Sequence, residues 1–507
     1  MGITTILELV QAQPADRPAI GGIGRAPISY GELAGLIIRT VRDLRQVGIA
    51  NGDRICVVLR NGPELATAFL SIAAGASIAP LNPAFREDEF ETYLSDLAVK
   101  AIVVEQGDRS AAAVVATRRN IPVLEIAIDP RQPAGYFQLL NTERLHGAHG
   151  DTGVSKSADE VLALHTSGTT SRPKVVSLTA QNLLHAVDSV QAILQLRPDD
   201  VGLNIMPLFH VHGLVASLLV SIRAGAQVVC APAFDALKFY RWFAEANPTW
   251  YTAVPTIHQA VLARASHNQT AVEATRLRFI RSCSAALPPT VAVRLETLFK
   301  CPVIEAYGMT EAAHQIASNP LPPMRRKIGT VGLPVGTEVA ILDDQLNATG
   351  RNQSGHIVIR GTNVFSGYAN NPEANATSFT DGWFRTGDIG FIDDDGYLTV
   401  TGREREIIIR GGEKIALREI DDVLYAHPAV DQAAAFSIPH AVLGEEIGAL
   451  VVLRNGSYAD EYEIKDFIAA RLAKFKIPRR VIFGDHIPKG ATGKLQRSDL
   501  AKKLGLI

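Results

Sequence analysis

The sequence predicts an α/β protein in two unequal parts. A large N-terminal part holds layered α/β subdomains and a β-rich subdomain, and a small α+β unit follows at the C-terminus. Three observations carry this. At 507 residues the chain is too long for one core. Short apolar runs alternate with helical patterns along most of its length, the signature of α/β layers. Between Gly329 and Gly402 the composition shifts to Gly, Asp and β-branched residues, and the alternation resumes only beyond it.

Each element follows in order. Residues 3–11 read as a helix and 19–23 as a strand. Ser29, ahead of Tyr30-Gly31-Glu32, is an N-cap with an acidic first turn, and its helix stops at Gly48. Strands are expected at 54–59, 77–80, 101–104 and 123–126, with a helix at 63–74. The polar, Gly/Ser-rich stretch 132–158 is a loop. Beyond it come a helix at 182–194, strands at 201–208 and 227–231, and a helix at 239–246. A β-rich run at 249–254 meets Pro255, which opens a helix near its first turn. Strands at 277–282 and 303–306 follow. The C-terminal unit reads helix 419–426, strands 430–438 and 447–453, and helix 460–473.

Composition excludes several classes. Fifty basic against 52 acidic residues leave no global bias toward nucleic acid or an anionic membrane. Cys56, Cys230, Cys283 and Cys301 lack C-x-x-C spacing, so neither a zinc site nor a disulfide framework is expected, and buried packing in a reducing compartment is. The apolar run 214–222 is too short to span a bilayer. The N-terminus lacks a charged n-region, Ile6 argues against myristoylation, and the C-terminal Leu-Gly-Leu-Ile is not a peroxisomal tripeptide. A cytoplasmic location is the expectation.

Five strings carry chemistry. Residues 164–177 gather Thr166, Ser167, Thr169, Thr170 and Ser171 around Gly168, then Lys174, between two apolar runs. Such a loop offers hydroxyls, backbone N–H groups and a mobile cation to a polyanion. It lacks Walker A spacing, and a solvated turn is the bland alternative. Tyr307-Gly308-Met309-Thr310-Glu311 follows a strand, at the end where open α/β sheets bind ligands. There Thr310 offers a hydroxyl and Glu311 an oxygen ligand for Mg²⁺, although a helix cap reads equally well. Asp388, in Trp383-Phe384-Arg385-Thr386-Gly387-Asp388, suits a ribose diol or an Asx turn. Gly411-Gly412-Glu413-Lys414-Ile415 allows close backbone approach or a surface β-turn. Lys494 stands in a flexible stretch, Pro488-Lys489-Gly490-Ala491-Thr492-Gly493-Lys494, where a solvated lysine is the common fate.

In this order the strings resemble the motifs of adenylate-forming enzymes: acyl-CoA synthetases, coumarate–CoA ligases, luciferases and peptide-synthetase adenylation domains. Ser171 and Val175 replace two glycines of that family's phosphate motif, T-S-G-T-T-G-x-P-K-G. The resemblance implies a 1–402 adenylation domain and a mobile 403–507 domain that turns about a hinge near Arg405. It implies ATP, Mg²⁺ and coenzyme A as cosubstrates and cofactor. ATP or AMP would lie on Thr166, Ser167, Gly168, Thr169, Thr170, Lys174, Ser284, Ala285, Glu305 and Ala306. Tyr307 would stack on adenine, Thr310 would touch the α-phosphate and Glu311 would hold Mg²⁺. Asp388 and Arg403 would take the ribose, and Lys494 the carboxylate and α-phosphate. Arg410, Gly411, Gly412, Glu413 and Lys414 would line the pantetheine tunnel during thioester formation.

The acid pocket departs from the coumarate ligases in one direction. Phe209-His210 matches a family gate near the reacting carboxylate. His212 and His314 stand where those ligases carry an aromatic and an apolar residue, and Arg281-Ser282-Cys283-Ser284-Ala285 replaces their small pocket floor. A buried second carboxylate needs hydrogen-bond donors, so His212, His314, Ser282 and Ser284 are expected to hold the far end of a short dicarboxylate, and His210 the near end. Longer strings here resemble the oxalate–CoA ligase branch, which implies oxalate as substrate. The alternatives are a medium-chain or aryl acyl–CoA ligase, which requires a deep apolar pocket, and a module loading a carrier protein, for which no amine-binding Asp is evident. A non-catalytic scaffold is disfavoured by Lys174, Glu311, Asp388, Arg403 and Lys494 together. Oligomeric state is not legible.

Overall fold

The computed structural model describes residues 2–141, 153–166, 174–410, 413–488, 497 and 499–507. Among them the strands form four sheets. The first has seven strands, with Arg54–Val58, Ser77–Pro80, Ala101–Glu105 and Val123–Ala127 running parallel in its interior. At one edge the antiparallel pair Glu160–His165 and Val175–Thr179 brackets the Ser/Thr-rich segment. The second sheet has nine strands. Its parallel core runs from Val303–Tyr307 through Phe279–Ser282, Trp250–Ala253, Val201–Asn204 and Gln227–Cys230 to the N-terminal Pro18–Gly22.

The third sheet is antiparallel, with Trp383–Ile392 at its centre, and covers the Gly/Asp-rich stretch. The fourth contains Ile407–Arg410, Glu413–Ala416, Val430–His440, Gly444–Leu453 and Arg480–Phe483. One apolar cluster threads the first three sheets through Ile20, Ile55, Leu162, Val228, Ile359 and Leu398. The fourth sheet has its own, including Ile408, Ile420, Ala435, Val451 and Ile468. Mixed α/β architecture is thus what the molecule has.

Local chemistry explains the elements. Ser29 and Glu32 form a reciprocal capping box on helix Tyr30–Gln46, as the expected N-cap requires. Pro255 sits in the first turn of helix Pro255–Arg264. All four cysteines are free and buried. No helix among the described residues is long and apolar enough to cross a membrane. The apolar run after His212 is a π-helix, Leu214–Leu219, continued by Val220–Arg223.

Several boundaries differ from expectation. The first helix starts at Ile6, because the Thr5 hydroxyl caps Glu8 N–H. The strand expected at 201–208 ends at Asn204, whose side chain accepts from Met206 N–H and turns the chain. The helix expected at 460–473 ends at Ala469. Strands also lie where none was expected, among them the edge strand Arg25–Ser29, Gln138–Leu140 inside the predicted loop, and Glu413–Ala416 and Arg480–Phe483 in the C-terminal part.

Candidate active site

The carboxyl ends of the nine-stranded sheet and the Thr166–Lys174 pair converge on one region. Thr166 N–H donates to the Lys174 carbonyl at 2.8 Å, and Lys174 N–H lies 3.3 Å from the Thr166 hydroxyl. This rung fixes both ends of the phosphate string, while Ser167, Gly168, Thr169 and Thr170 lie outside the described residues. The Lys174 ammonium sits 4.4 Å above the Tyr368 ring, and the Tyr368 hydroxyl donates to Glu311 at 2.9 Å. Ala369 N–H donates to the Val175 carbonyl, and Phe365 N–H to that of Glu311. The 365–369 segment therefore clips the phosphate strand to the carboxylate. The sequence reading missed Tyr368; a lone tyrosine after Gly367 has no pattern to mark it.

Glu311 is buried, and desolvation raises its pKa above the ordinary carboxylate value. Among the described residues no lysine or arginine bonds to it, and its side-chain partner is the neutral Tyr368 hydroxyl. A buried carboxylate to which no cation is bonded among the described residues, with Arg403 acting on it only at a distance, fits a divalent ion. The described residues hold no group of three or more His, Cys, Asp or Glu able to bind a metal. Mg²⁺ is commonly held by one or two carboxylates plus substrate phosphates, so a single buried carboxylate suits it.

The loop after Tyr307 is tight. His314 N–H donates to the Met309 carbonyl, and Ile316 N–H to that of Tyr307. A Cβ at position 308 would stand 1.3 Å from the His314 carbonyl oxygen, so only glycine fits there. Thr310 opens a 3-10 turn, Thr310–Ala312, and is half-buried. Asp388 is buried opposite. Its carboxylate accepts from the Tyr307 hydroxyl and lies 3.1 Å from Arg403 Nε, because strand register places Asp388 beside Arg403. Tyr307, Asp388 and Arg403 thus form one cluster, with the tyrosine ring held by its hydroxyl.

The acid side is built on the same strand ends. His212 is buried, with Nε2 2.7 Å from the Thr252 hydroxyl and Nδ1 3.0 Å from that of Ser284. The His212 and His314 rings lie 5.3 Å apart. Ser284 and His314 both hold positive φ, 72° and 85°, a region side chains rarely enter. His210 precedes the first turn of this segment and packs edge-on against Phe209.

Register separates Ser282 from this group. Thr252 pairs with Arg281, whereas Ser282 pairs with Ala253 and Glu305, on the opposite face of the strand. Arg281, on the histidine side, has no exposure at all. Ala285 is exposed and Ala306 buried. Glu305 accepts from Gly329 N–H at 3.0 Å, and burial pushes its carboxyl up to about 7.

In the C-terminal part, Arg410 is held by Glu446 at 2.7 Å and donates to the Phe475 carbonyl. Glu413 pairs with Arg410 across a hairpin. Arg405 lies in the 3-10 turn Glu404–Glu406, and Lys414 in strand Glu413–Ala416. Gly411, Gly412 and Lys494 lie outside the described residues.

The AMP-binding enzyme profile matches residues 7–369, and that of the AMP-binding enzyme C-terminal domain matches 419–494. The oxalate–CoA ligase of Arabidopsis thaliana is 43% identical over 99% of this chain and 98% of its own. That of Saccharomyces cerevisiae is 41% identical over 89% and 86%. ATP-bound MatB from Rhodopseudomonas palustris superposes with a TM-score of 0.88 at 29% identity, covering 99% of this chain and 98% of its own.

Proposed function

We propose, from the premise that the chain belongs to the AMP-binding enzyme family, that it is an ATP-dependent acid–CoA ligase whose acid is oxalate. ATP, Mg²⁺ and coenzyme A are the partners of that reaction. The observation that carries oxalate is the paired imidazoles of His212 and His314 with the Ser284 hydroxyl, buried at the strand ends beside the Tyr307–Glu311 loop. An aryl or alkyl tail would have to lie against these polar groups, whereas a second carboxylate is an acceptor that suits them.

In the first half-reaction an oxalate oxygen attacks the α-phosphorus and pyrophosphate leaves. Two anions must meet, so charge has to be neutralised around the phosphates. Lys174 and the Thr166 loop supply a cation and donors to the phosphates. Glu311 would hold Mg²⁺, which when bound adds positive charge to the phosphate oxygens. Asp388, with Arg403, orients the ribose, and the Tyr307 ring offers a face to adenine. Thr310 meets the α-phosphate, and Lys494 bridges it to the reacting carboxylate beside His210. His314 and Ser284 hold the distal carboxylate, and His212, bonded through its two ring nitrogens to Thr252 and Ser284, fixes the Ser284 hydroxyl beside it. In the second half-reaction the CoA sulfur attacks the oxalyl carbon and AMP leaves. The 403–507 domain turns about Arg405 for this step, and the Arg410–Lys414 segment lines the pantetheine path. Four free, buried cysteines suit a reducing cytoplasm.

The test is pyrophosphate release with oxalate, malonate, coumarate, hexanoate and butyrate, wild type against His314→Ala. Losing a buried hydrogen bond to a charged group costs roughly 1.5–3 kcal/mol, about ten- to a hundredfold in kcat/KM. His314→Ala should lose that much with oxalate, hold its ATP affinity, and gain on butyrate relative to oxalate. A wild type that ignores oxalate and takes coumarate would overturn the reading.

A further inference from the structure

Arg281 is a guanidinium in the core with no neutralising partner among the described residues. It has no exposure, and no carboxylate figures among its interactions. One amino group reaches Gln315 Oε1 at 3.3 Å, and Cys283 lies against it. Its Nε and other amino group have no hydrogen-bond partner among the described residues. A cation stripped of water costs several kcal/mol, and a well-packed apolar side chain would fill the same volume without that penalty. An arginine serving packing alone would be expected to keep a carboxylate partner.

Its neighbours indicate what it serves. Strand register sets Thr252 beside it, and the Thr252 hydroxyl holds His212 Nε2 at 2.7 Å. Gln315, its hydrogen-bond partner, directly follows His314. Arg281 is therefore linked to His212 through its strand neighbour Thr252, and its own partner Gln315 is the chain neighbour of His314. An anion seated on His212 and His314 would stand near this cation, and in a low-dielectric interior charges act across several ångströms without contact.

We propose that Arg281 is the fixed cation of the acid pocket, a positioning residue that makes it select acids bearing a second anionic group. This rests on the acid–CoA ligase reading but not on which dianionic acid is used.

The experiment compares wild type with Arg281→Met, which keeps the bulk, and Arg281→Lys, which keeps the charge. Substrates are oxalate, sulfoacetate and butyrate. Arg281→Met should lose roughly ten- to a hundredfold in kcat/KM for the dianionic acid, through KM, with the KM for ATP within about twofold. Butyrate use should hold or rise. Arg281→Lys should recover most of the loss. If Arg281→Met does not fold, Arg281→Gln, polar and uncharged, carries the same comparison.

An unchanged ratio of dianionic acid to butyrate in the uncharged variant overturns the proposal. So does equal loss on every acid and on ATP in both variants, which would mark a structural residue only. If wild type rejects oxalate but uses sulfoacetate, and Arg281→Met loses that activity, the oxalate reading falls and this inference stands. A wild type confined to monocarboxylic acids overturns both.

Discussion

Glu305 holds a carboxyl that burial pushes to about 7 from an ordinary 4.5. The folded state therefore binds this proton more tightly than the unfolded chain does. Its contribution to stability is full below about pH 4.5 and is lost as pH rises through about 7. Glu305→Gln removes that dependence while an amide oxygen still accepts from Gly329 N–H. Without ligands, the variant should melt close to wild type near pH 4.5 and above it near pH 8. Melting curves across that range check this, and a wild-type stability that rose with pH in step with the variant would contradict it. At this scale the sequence was legible where a residue sat in an ordered motif, as Glu311 and Asp388 did. Arg281 was legible only as part of the 281–285 string that replaces a small pocket floor. Thr252 and Tyr368 were not, because their roles come from strand register and from a clip between distant segments. Ser282 was drawn into the acid group by adjacency in sequence, whereas alternation along the strand turns it to the other face.

Among the elements, the Tyr307–Gln315 loop shows how backbone alone can set a site. Position 308 has no room for a Cβ beside the His314 carbonyl, and two carbonyls accept from the loop's own N–H groups. Gly308→Ala must displace the His314 backbone, so it should lower the melting temperature by several degrees and raise the KM for acid and for ATP together. Differential scanning calorimetry with steady-state kinetics would show it; an acid-only effect would mean that the loop yields without disturbing Tyr307 and Glu311. Capping and proline signals located helices well, as Ser29 and Pro255 did. Other ends were hidden by side-chain chemistry. Asn204 bonds back to the main chain and cuts a strand whose apolar run continues. Edge strand Arg25–Ser29 carries Pro27, which argues against a strand unless the strand lies at an edge.

For the whole molecule, the order of motifs along the chain reads as two parts, and we propose that division for the molecule. What it left hidden is how the parts meet, since the contacts are single residues without motif. Arg418 donates to the Val400 carbonyl, and Tyr425 bonds to Gln259. If one C-terminal unit serves two half-reactions with different faces, the two steps should separate by mutation. Lys494→Ala should abolish pyrophosphate release yet still convert supplied oxalyl-adenylate to the thioester. Gly412→Trp should do the reverse, retaining a single-turnover pyrophosphate burst. Rapid-quench measurement of both half-reactions decides it, and equal loss of both steps in either variant would defeat domain alternation.

The positive φ angles at Ser284 and His314 have a further consequence, for how such an enzyme drifts. Each conformation costs about 1–3 kcal/mol for a residue with a side chain, and glycine is free of it. At 284 that relief roughly offsets the buried hydrogen bond to His212 that a glycine would lose, about 0.5–1.5 kcal/mol, and the extra freedom of the unfolded chain, about 0.4–1 kcal/mol. The fold therefore exerts little hold on the serine. A population screened only for staying folded would let glycine in at 284 almost freely, and with it a pocket floor of the kind the coumarate ligases carry. Only selection for the acid itself keeps this position from sliding toward a broader substrate range.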